Sequence, residues 1–411
     1  MKESFEVKGK TKYILGIQHV LAMFGATVLV PITTGLNTSL ALICAGIGTL
    51  IFHFCTKGKV PVFLGSSFAF IGALQMVLSE EGIAHVKGGI IVAGFIYFFM
   101  SYLVRVYGVE KVKSFFPPVV TGPIIMVIGL KLSPVALQMC GYENNSFSDS
   151  KSLIIAVIVI ATMIIISSLK KSFFRLVPIL ISVFVGYIAA FIFGAVDLTA
   201  LGDAKIVGLS NDAWSQVRTF PKFSLTAILA IAPIALVTFI EHLGDIITNG
   251  AVVGKDFMEE PGIDKTLMGD GLATIVAGII GGPANTTYGE NTGVLAVTKV
   301  YDPKVLRIAA IYAIILGFLG KFGALLENMP TPIMGGVSVI LFGMISAVGV
   351  RTIVDARLDF TNSRNLLIAA LIFVLGIAVD QIAIWKTVSL SGLALAAIVG
   401  IVLNKILPQD K

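Results

Sequence analysis

Three carboxylates fall where hydrocarbon is expected. Glu241 and Asp245 lie inside the apolar run 225–249, and Glu290 lies inside the run 285–300. A carboxylate near a bilayer centre costs roughly 2.5–3.5 kcal/mol on insertion scales. Such groups face a cavity or a partner inside the bundle, and they mark ion or substrate pathways. Four positions separate Glu241 from Asp245, so a helix presents both on one face. A carboxylate that takes up and releases a proton is what proton coupling requires, and Glu241 and Glu290 are the candidates. Asp245 can equally be held by a basic group, with His19, His242, Lys131 and Lys321 available. Glu241, His242 and Asp245 are poor metal ligands as a set, since no Cys lies nearby and the run has no second His; no metal is expected.

Glu290 also sits on a break. Asn285-Thr286-Thr287-Tyr288 favours extended backbone, and Gly289 and Gly293 follow. Irregular backbone at membrane depth survives only where protein buries it or where it lines a cavity. Val60-Pro61-Val62-Phe63-Leu64-Gly65-Ser66-Ser67-Phe68 is built alike, with β-branched and aromatic residues around a proline. Each stretch reads as a short strand followed by a half-helix. Two such strands entering from opposite sides can pair at mid-membrane and satisfy each other's backbone. Their half-helices then aim N-terminal amides at a shared centre, a setting that suits anionic or carbonyl groups.

The elements that must carry these residues follow from composition. Of 411 residues 56% are hydrophobic and 13% charged, with mean hydropathy +0.95; soluble domains carry about 25% charged residues. A polytopic all-α membrane protein is expected. Met1–Lys12 is short, polar and basic with no cleavage site after it, so no removable signal peptide is expected. Cys44, Cys55 and Cys140 show neither metal-ligand nor disulfide spacing. No nucleophile–base pair or cofactor motif stands out, so neither an enzyme nor a cofactor is expected.

Fourteen apolar runs are long enough to span, at about 13–33, 37–54, 60–79, 88–106, 117–137, 153–169, 176–197, 225–249, 266–282, 285–300, 305–326, 331–349, 364–380 and 387–406. With fourteen crossings and a cytoplasmic N-terminus, 22 of the 30 Lys and Arg fall on the inside. Both termini are then cytoplasmic. The net charge of +6 is a topology signal, and no nucleic-acid partner is expected.

The halves repeat. Pro118-x-x-x-Gly122 with Gly129 aligns on Pro332-x-x-x-Gly336 with Gly343, an offset of 214. Gly46-x-x-Thr49 aligns on Gly271-x-x-Thr274, Gln18-His19 on Glu241-His242, and Gly65–Phe68 on Tyr288–Asn291. Seven spans per half is odd, so the halves insert in opposite senses, as two inverted repeats.

Gln18-His19, Gly65-Ser66-Ser67-Phe68, Glu241-His242 and Tyr288-Gly289-Glu290-Asn291-x-Gly293-x-x-x-x-Thr298-Lys299 together resemble the nucleobase–ascorbate (nucleobase:cation symporter-2) family, and among its members the bacterial uracil permeases. The resemblance runs from about Tyr13 to Leu407 and implies proton-coupled import of uracil across the cytoplasmic membrane. It implies a core domain of residues 1–110 and 225–328 (spans 1–4 and 8–11) and a gate domain of residues 111–224 and 329–411 (spans 5–7 and 12–14). Substrate would lie between spans three and ten. Glu241 and Glu290 would accept from the ring N–H groups, the backbone N–H of Phe68 and Gly289 would meet its carbonyls, and Phe68 and Tyr288 would wall it, with Ser67 and Asp245 beside them. His19, Glu241 and Glu290 would handle the proton. Gln18, Asn291, Gly293 and Thr298 carry the family signature.

The gate would rock on the core through the Pro-x-x-x-Gly elements, with Phe342 on its substrate side, and a homodimer would form through it. Two positions depart from uracil permeases: Asp245, often His there, and Phe342, Tyr in some. Asp245 keeps xanthine or another oxopurine open as substrate, while Glu290 is the uracil-like choice. The related sulfate and bicarbonate transporters share the seven-plus-seven fold, so an anion exchanger or channel is the reading from another class. Two mid-membrane acids would repel an anion.

Overall fold

The computed structural model describes residues 9–408 except 148, 170–173, 175–176, 197–198, 200–201, 203 and 386–387. Lys2, Lys8, Lys170, Lys171, Arg175, Lys386 and Lys411, which enter the charge asymmetry, lie outside the described residues. In chain order the principal elements are helices α1 (Thr11–Thr34) and α2 (Thr38–Cys55), strand β1 (Leu64–Ser66), α3 (Ile71–Glu81), α4 (Ile83–Tyr107), α5 (Pro118–Met139), α6 (Ser150–Ser168) and α7 (Pro178–Ile192). Then come α8 (Ile234–Val253), α9 (Ile263–Ile280), strand β2 (Asn285–Thr287), α10 (Gly289–Thr298), α11 (Pro303–Gly317), α12 (Gly320–Glu327), α13 (Thr331–Asp355), α14 (Ser363–Ala378), a hairpin of β3 (Gln381–Trp385) and β4 (Val388–Ser391), and α15 (Gly392–Ile406).

Among the described residues seven helices are long and apolar enough to cross a membrane, and three shorter apolar helices join them. The run 305–326 is one bent pair, with α11 and α12 meeting at 78°. Leu319 there is extended and breaks the helix. The last run starts later than hydropathy suggests, because β3 and β4 pair antiparallel before α15 begins. The exterior is apolar: Phe95, Phe99, Phe184, Phe191 and Val374 are each more than half exposed. Polar side chains such as His19, Asp270 and Asn291 are buried inside. That inversion suits a protein solvated by lipid.

The two broken segments meet. β1 and β2 pair antiparallel, with Leu64 opposite Thr287, Gly65 opposite Thr286 and Ser66 opposite Asn285. Two further bonds lengthen the ladder, from Ser67 N–H to Ala284 O (2.9 Å) and from Tyr288 N–H to Phe63 O (3.0 Å). The repeated threonines clamp the strands. Thr49 Oγ1 accepts from Leu64 N–H at 2.9 Å, and Thr274 Oγ1 accepts from Asn285 N–H at 3.3 Å. The Gly-x-x-Thr repeat thus has a physical task in each half. Its glycines let helices close up: a Cβ at Gly46 would lie 2.4 Å from Ala310 O, and one at Gly271 3.0 Å from Gly94 O.

The other repeat also brings helices together. A Cβ at Gly129 would fall 2.3 Å from Phe342 O, and one at Gly122 2.6 Å from Ile353 Cγ1. Gly336 faces Ala156 and Val159. The Pro-x-x-x-Gly elements therefore seat α5 on α13 and α13 on α6. Gly122, Gly129 and Gly336 are thus taken up by these packings, while a Cβ at Gly343 would meet nothing within 4 Å. Close approach between α1 and α7 is made at Gly25, where a Cβ would fall 2.1 Å from Ile179 Cγ2, and the Phe116 and Phe239 rings meet edge-on at 5.7 Å.

Candidate functional site

Each strand ends in a helix start. Ser67 is extended, Phe68–Phe70 form a 3-10 turn, and α3 follows. Tyr288 is extended with no side-chain cap, and α10 begins at Gly289. First-turn N–H groups have no partner within their own helix, so both starts offer donors beside the strand pair. Val60 and Val62 leading into β1, Thr286 and Thr287 within β2, and glycine at the second helix start are the local causes.

The acids gather here. Glu241 and Glu290 are exposed and Asp245 is half-buried, and the three interact electrostatically. Thr287 Oγ1 donates to Asp245 Oδ2 at 2.8 Å. A Cβ at Gly289 would lie 3.7 Å from Asp245 Oδ1, so α8 closes against the end of β2. A threonine hydroxyl thus holds Asp245, in place of the His or Lys partner considered from the sequence. Glu241, one turn earlier on α8, shares that face.

Side chains behind the acids fix them. Asn291 Nδ2 donates to His19 Nδ1 and to His19 O, both at 3.0 Å. His19 Nδ1 then acts as acceptor, and its ring proton belongs on Nε2. Gln18 is buried beside it on α1. Asn249 Nδ2 donates to Pro61 O at 3.0 Å and to Thr292 Oγ1 at 3.1 Å, tying α8 to both broken segments. Tyr288 donates to Ser66 O at 2.9 Å. Its ring lies on Gly65, where a Cβ would sit 2.3 Å from Tyr288 Cζ. Most of that ring is therefore engaged by the strand pair. Phe68 is half-buried, while Ser67 is fully buried with its hydroxyl unpaired. Gly293 has open space where a Cβ would be, and Thr298 Oγ1 donates to Val294 O at 2.8 Å where α10 ends. Phe342 is buried on α13. Among the described residues no group of three His, Cys, Asp or Glu could hold a metal ion.

Residues 10–383 match the permease family. A probable uracil permease of Haemophilus influenzae is 40% identical over 397 residues, covering 97% of this chain and 94% of the relative. The uracil permease of Escherichia coli K12 is 40% identical over 396 residues, covering 95% and 90%. The chain belongs to this family, the nucleobase:cation symporter-2 permeases. Among solved structures, the transmembrane domain of a cyanobacterial bicarbonate transporter superposes with a TM-score of 0.68 at 16% identity, covering 96% of this chain and 97% of that one. At that identity the likeness concerns the fold alone.

This permease is thus an integral membrane transporter and not an enzyme. It carries one site element that the sequence reading passed over. Asp270 lies in the ninth apolar run and is fully buried, with Oδ2 2.8 Å from His242 Nδ1. His242 Nε2 in turn lies 2.8 Å from Thr266 Oγ1. The rule that singled out Glu241, a carboxylate inside an apolar run, also applies to Asp270.

Proposed function

We propose that this permease is a proton-coupled uracil symporter of the cytoplasmic membrane. Uracil is flat and neutral, with two N–H donors and two carbonyl acceptors. The observation that carries the reading is the pairing of two exposed carboxylates, Glu241 and Glu290, with two helix starts at Phe68 and Gly289 that present backbone donors. The acids accept from the ring N–H groups and the amides donate to its carbonyls. Phe68 and Tyr288 flank the ring, with Ser67 and Asp245 at its margin. A proton shared between Glu241 and Glu290 would leave one negative charge in place of two and so relieve their repulsion. In this reading His19 serves as the support of α10 through Asn291, alongside its assigned part in proton handling.

The chain crosses fourteen times with both termini cytoplasmic, as the charge asymmetry supports. The core of residues 1–110 and 225–328 and the gate of residues 111–224 and 329–411 alternate access, with Phe342 on the gate and a homodimer formed through it. Relatives named uracil permeases at 40% identity support the substrate. Asp245, a third acceptor at the site, supports xanthine or another oxopurine as the second reading. Three clustered carboxylates argue against an anion substrate.

The test is uptake of radiolabelled uracil by cells lacking their own uracil permease, with unlabelled uracil, xanthine, hypoxanthine, urate and bicarbonate as competitors and with or without a protonophore. Uracil should compete best and the protonophore should stop accumulation. Glu290→Gln should lower uptake about 10- to 100-fold, as expected for losing a charged hydrogen-bond acceptor, at unchanged membrane abundance. Xanthine outcompeting uracil would replace the first reading with the second. Normal uptake by the Glu290→Gln protein would remove the site assignment.

A further inference from the structure

A cavity apart from the acids opens in the described structure. It has a volume of about 770 Å³ and lies between α3 and α5, at the end of the bundle where α1 stops. Ala69 and Gly72 line one wall, Ile128 and Lys131 the other, and Asp380 and Gln381 sit at its rim. Ala69 directly follows Phe68, whose backbone amide belongs to the site above, so one short turn of chain separates cavity from site.

Gly72 is the informative residue. Glycine weakens a helix relative to alanine, and most glycines inside this chain's long helices allow another element to approach. Gly46, Gly94, Gly129 and Gly278 each would place a Cβ within 3 Å of a neighbour. Gly72 is exposed, and a Cβ there would meet nothing within 4 Å. Packing therefore gives no reason for the missing side chain. What the glycine leaves is free volume in the cavity wall, next to the turn that carries Phe68.

We infer that this cavity is the external vestibule of the transport path, where the neutral planar base enters before it reaches Glu241 and Glu290, and that Gly72 keeps the passage past Phe68 open. The inference rests on the transport reading above and adds the route to it. The walls suit such a cargo, since they are mostly apolar with a few hydrogen-bonding groups. The rim joins α3 to the segment before β3: Gln381 Nε2 donates to Glu80 Oε1 at 3.4 Å, while Lys131 lies 3.5 Å from Asp380 and also donates to the carbonyls of Gly376 and Val379. A closing or opening of the two walls must remake these contacts.

The experiment introduces one thiol. Cys44, Cys55 and Cys140 are all buried, so Gly72→Cys supplies a single accessible thiol, with Met76→Cys, on the same wall and only half-buried, as substitute if the first variant does not reach the membrane. A membrane-impermeant, bulky maleimide is added to the outside of intact cells. Labelling should be complete and should lower uptake at least tenfold. Failure to label, or labelling without loss of uptake, would overturn the assignment. This readout concerns access from outside and holds whichever base is carried, so it fails separately from the uracil reading. In purified protein Gly72→Trp should leave base binding, read by thermal stabilisation, within about twofold of the parent while uptake is lost. Loss of binding as well would place residue 72 in the binding site and overturn the vestibule.

Discussion

His242 Nδ1 and Asp270 Oδ2 lie 2.8 Å apart with both side chains wholly buried. The contact joins α8 to α9 at the residue next to Glu241, so the helix turn that presents the candidate acid is anchored by a second acid behind it. In a low-dielectric interior such a pair is tolerated because each partner compensates the other.

Asp270→Ala leaves His242 without that partner. Removing one member of a buried pair costs about 3–5 kcal/mol. Thermal unfolding of the purified protein in detergent should fall by many degrees, and base uptake should fall with it. A melting point within one or two degrees of the parent would show that the pair contributes little.

Thr287 holds Asp245 at 2.8 Å, and removal of its hydroxyl frees that carboxylate. Thr287→Val should change the ratio of xanthine to uracil inhibition by about 2- to 12-fold, matching a net hydrogen bond of 0.5–1.5 kcal/mol. Asp245→His should move the ratio toward uracil. If neither variant changes it, Asp245 acts in structure and not in selectivity.

Gly65 gives way to the Tyr288 ring. Gly65→Ala should destabilise the strand pair by about 1–3 kcal/mol, the usual range for overpacking. Tyr288→Phe keeps the ring and loses the bond to Ser66 O and the longer one accepted from Thr27 Oγ1 at 3.4 Å, so it should be the milder change. Paired thermal melts decide the order, and Gly65→Ala proving the milder would contradict the geometry.

Asp149 caps α6 outside the spans. Its carboxylate accepts from the Ser152 hydroxyl and from the N–H groups of Lys151 and Ser152, and these bonds hold it below the usual carboxylate range. A depressed folded value means the stabilisation is present above the unfolded value of about 3.9 and is lost as pH falls through the folded one. Asp149→Ala should narrow the stability difference between pH 6 and pH 3. An unchanged difference would mean the cap is not felt in global unfolding.

Much of the architecture was legible in residue order. The broken segments could be read because β-branched runs beside glycines sit badly in a helix, and their repeat positions suggested that they pair. Glu241, Asp245 and Glu290 could be read because a charge in an apolar run is conspicuous. The bend at Leu319 and the hairpin before α15 could not, since apolar composition is nearly the same for straight, bent and paired backbone. The partners of the α5 and α13 glycines could not be read for a related reason: a small residue announces close approach without saying to what.

The amino-acid order determined on its own the membrane class, the repeat, the two breaks and the acids at their edge, because hydropathy, backbone preference and charge cost act over a few neighbouring residues. Tertiary structure decided the partners. Asn291 reaches His19 across 272 positions and Thr287 reaches Asp245 across 42, while Asp270 turns to His242 and not to the open acids. Hydrogen bonds depend on distance and direction to within a fraction of an ångström, and those become defined only once the helices have packed.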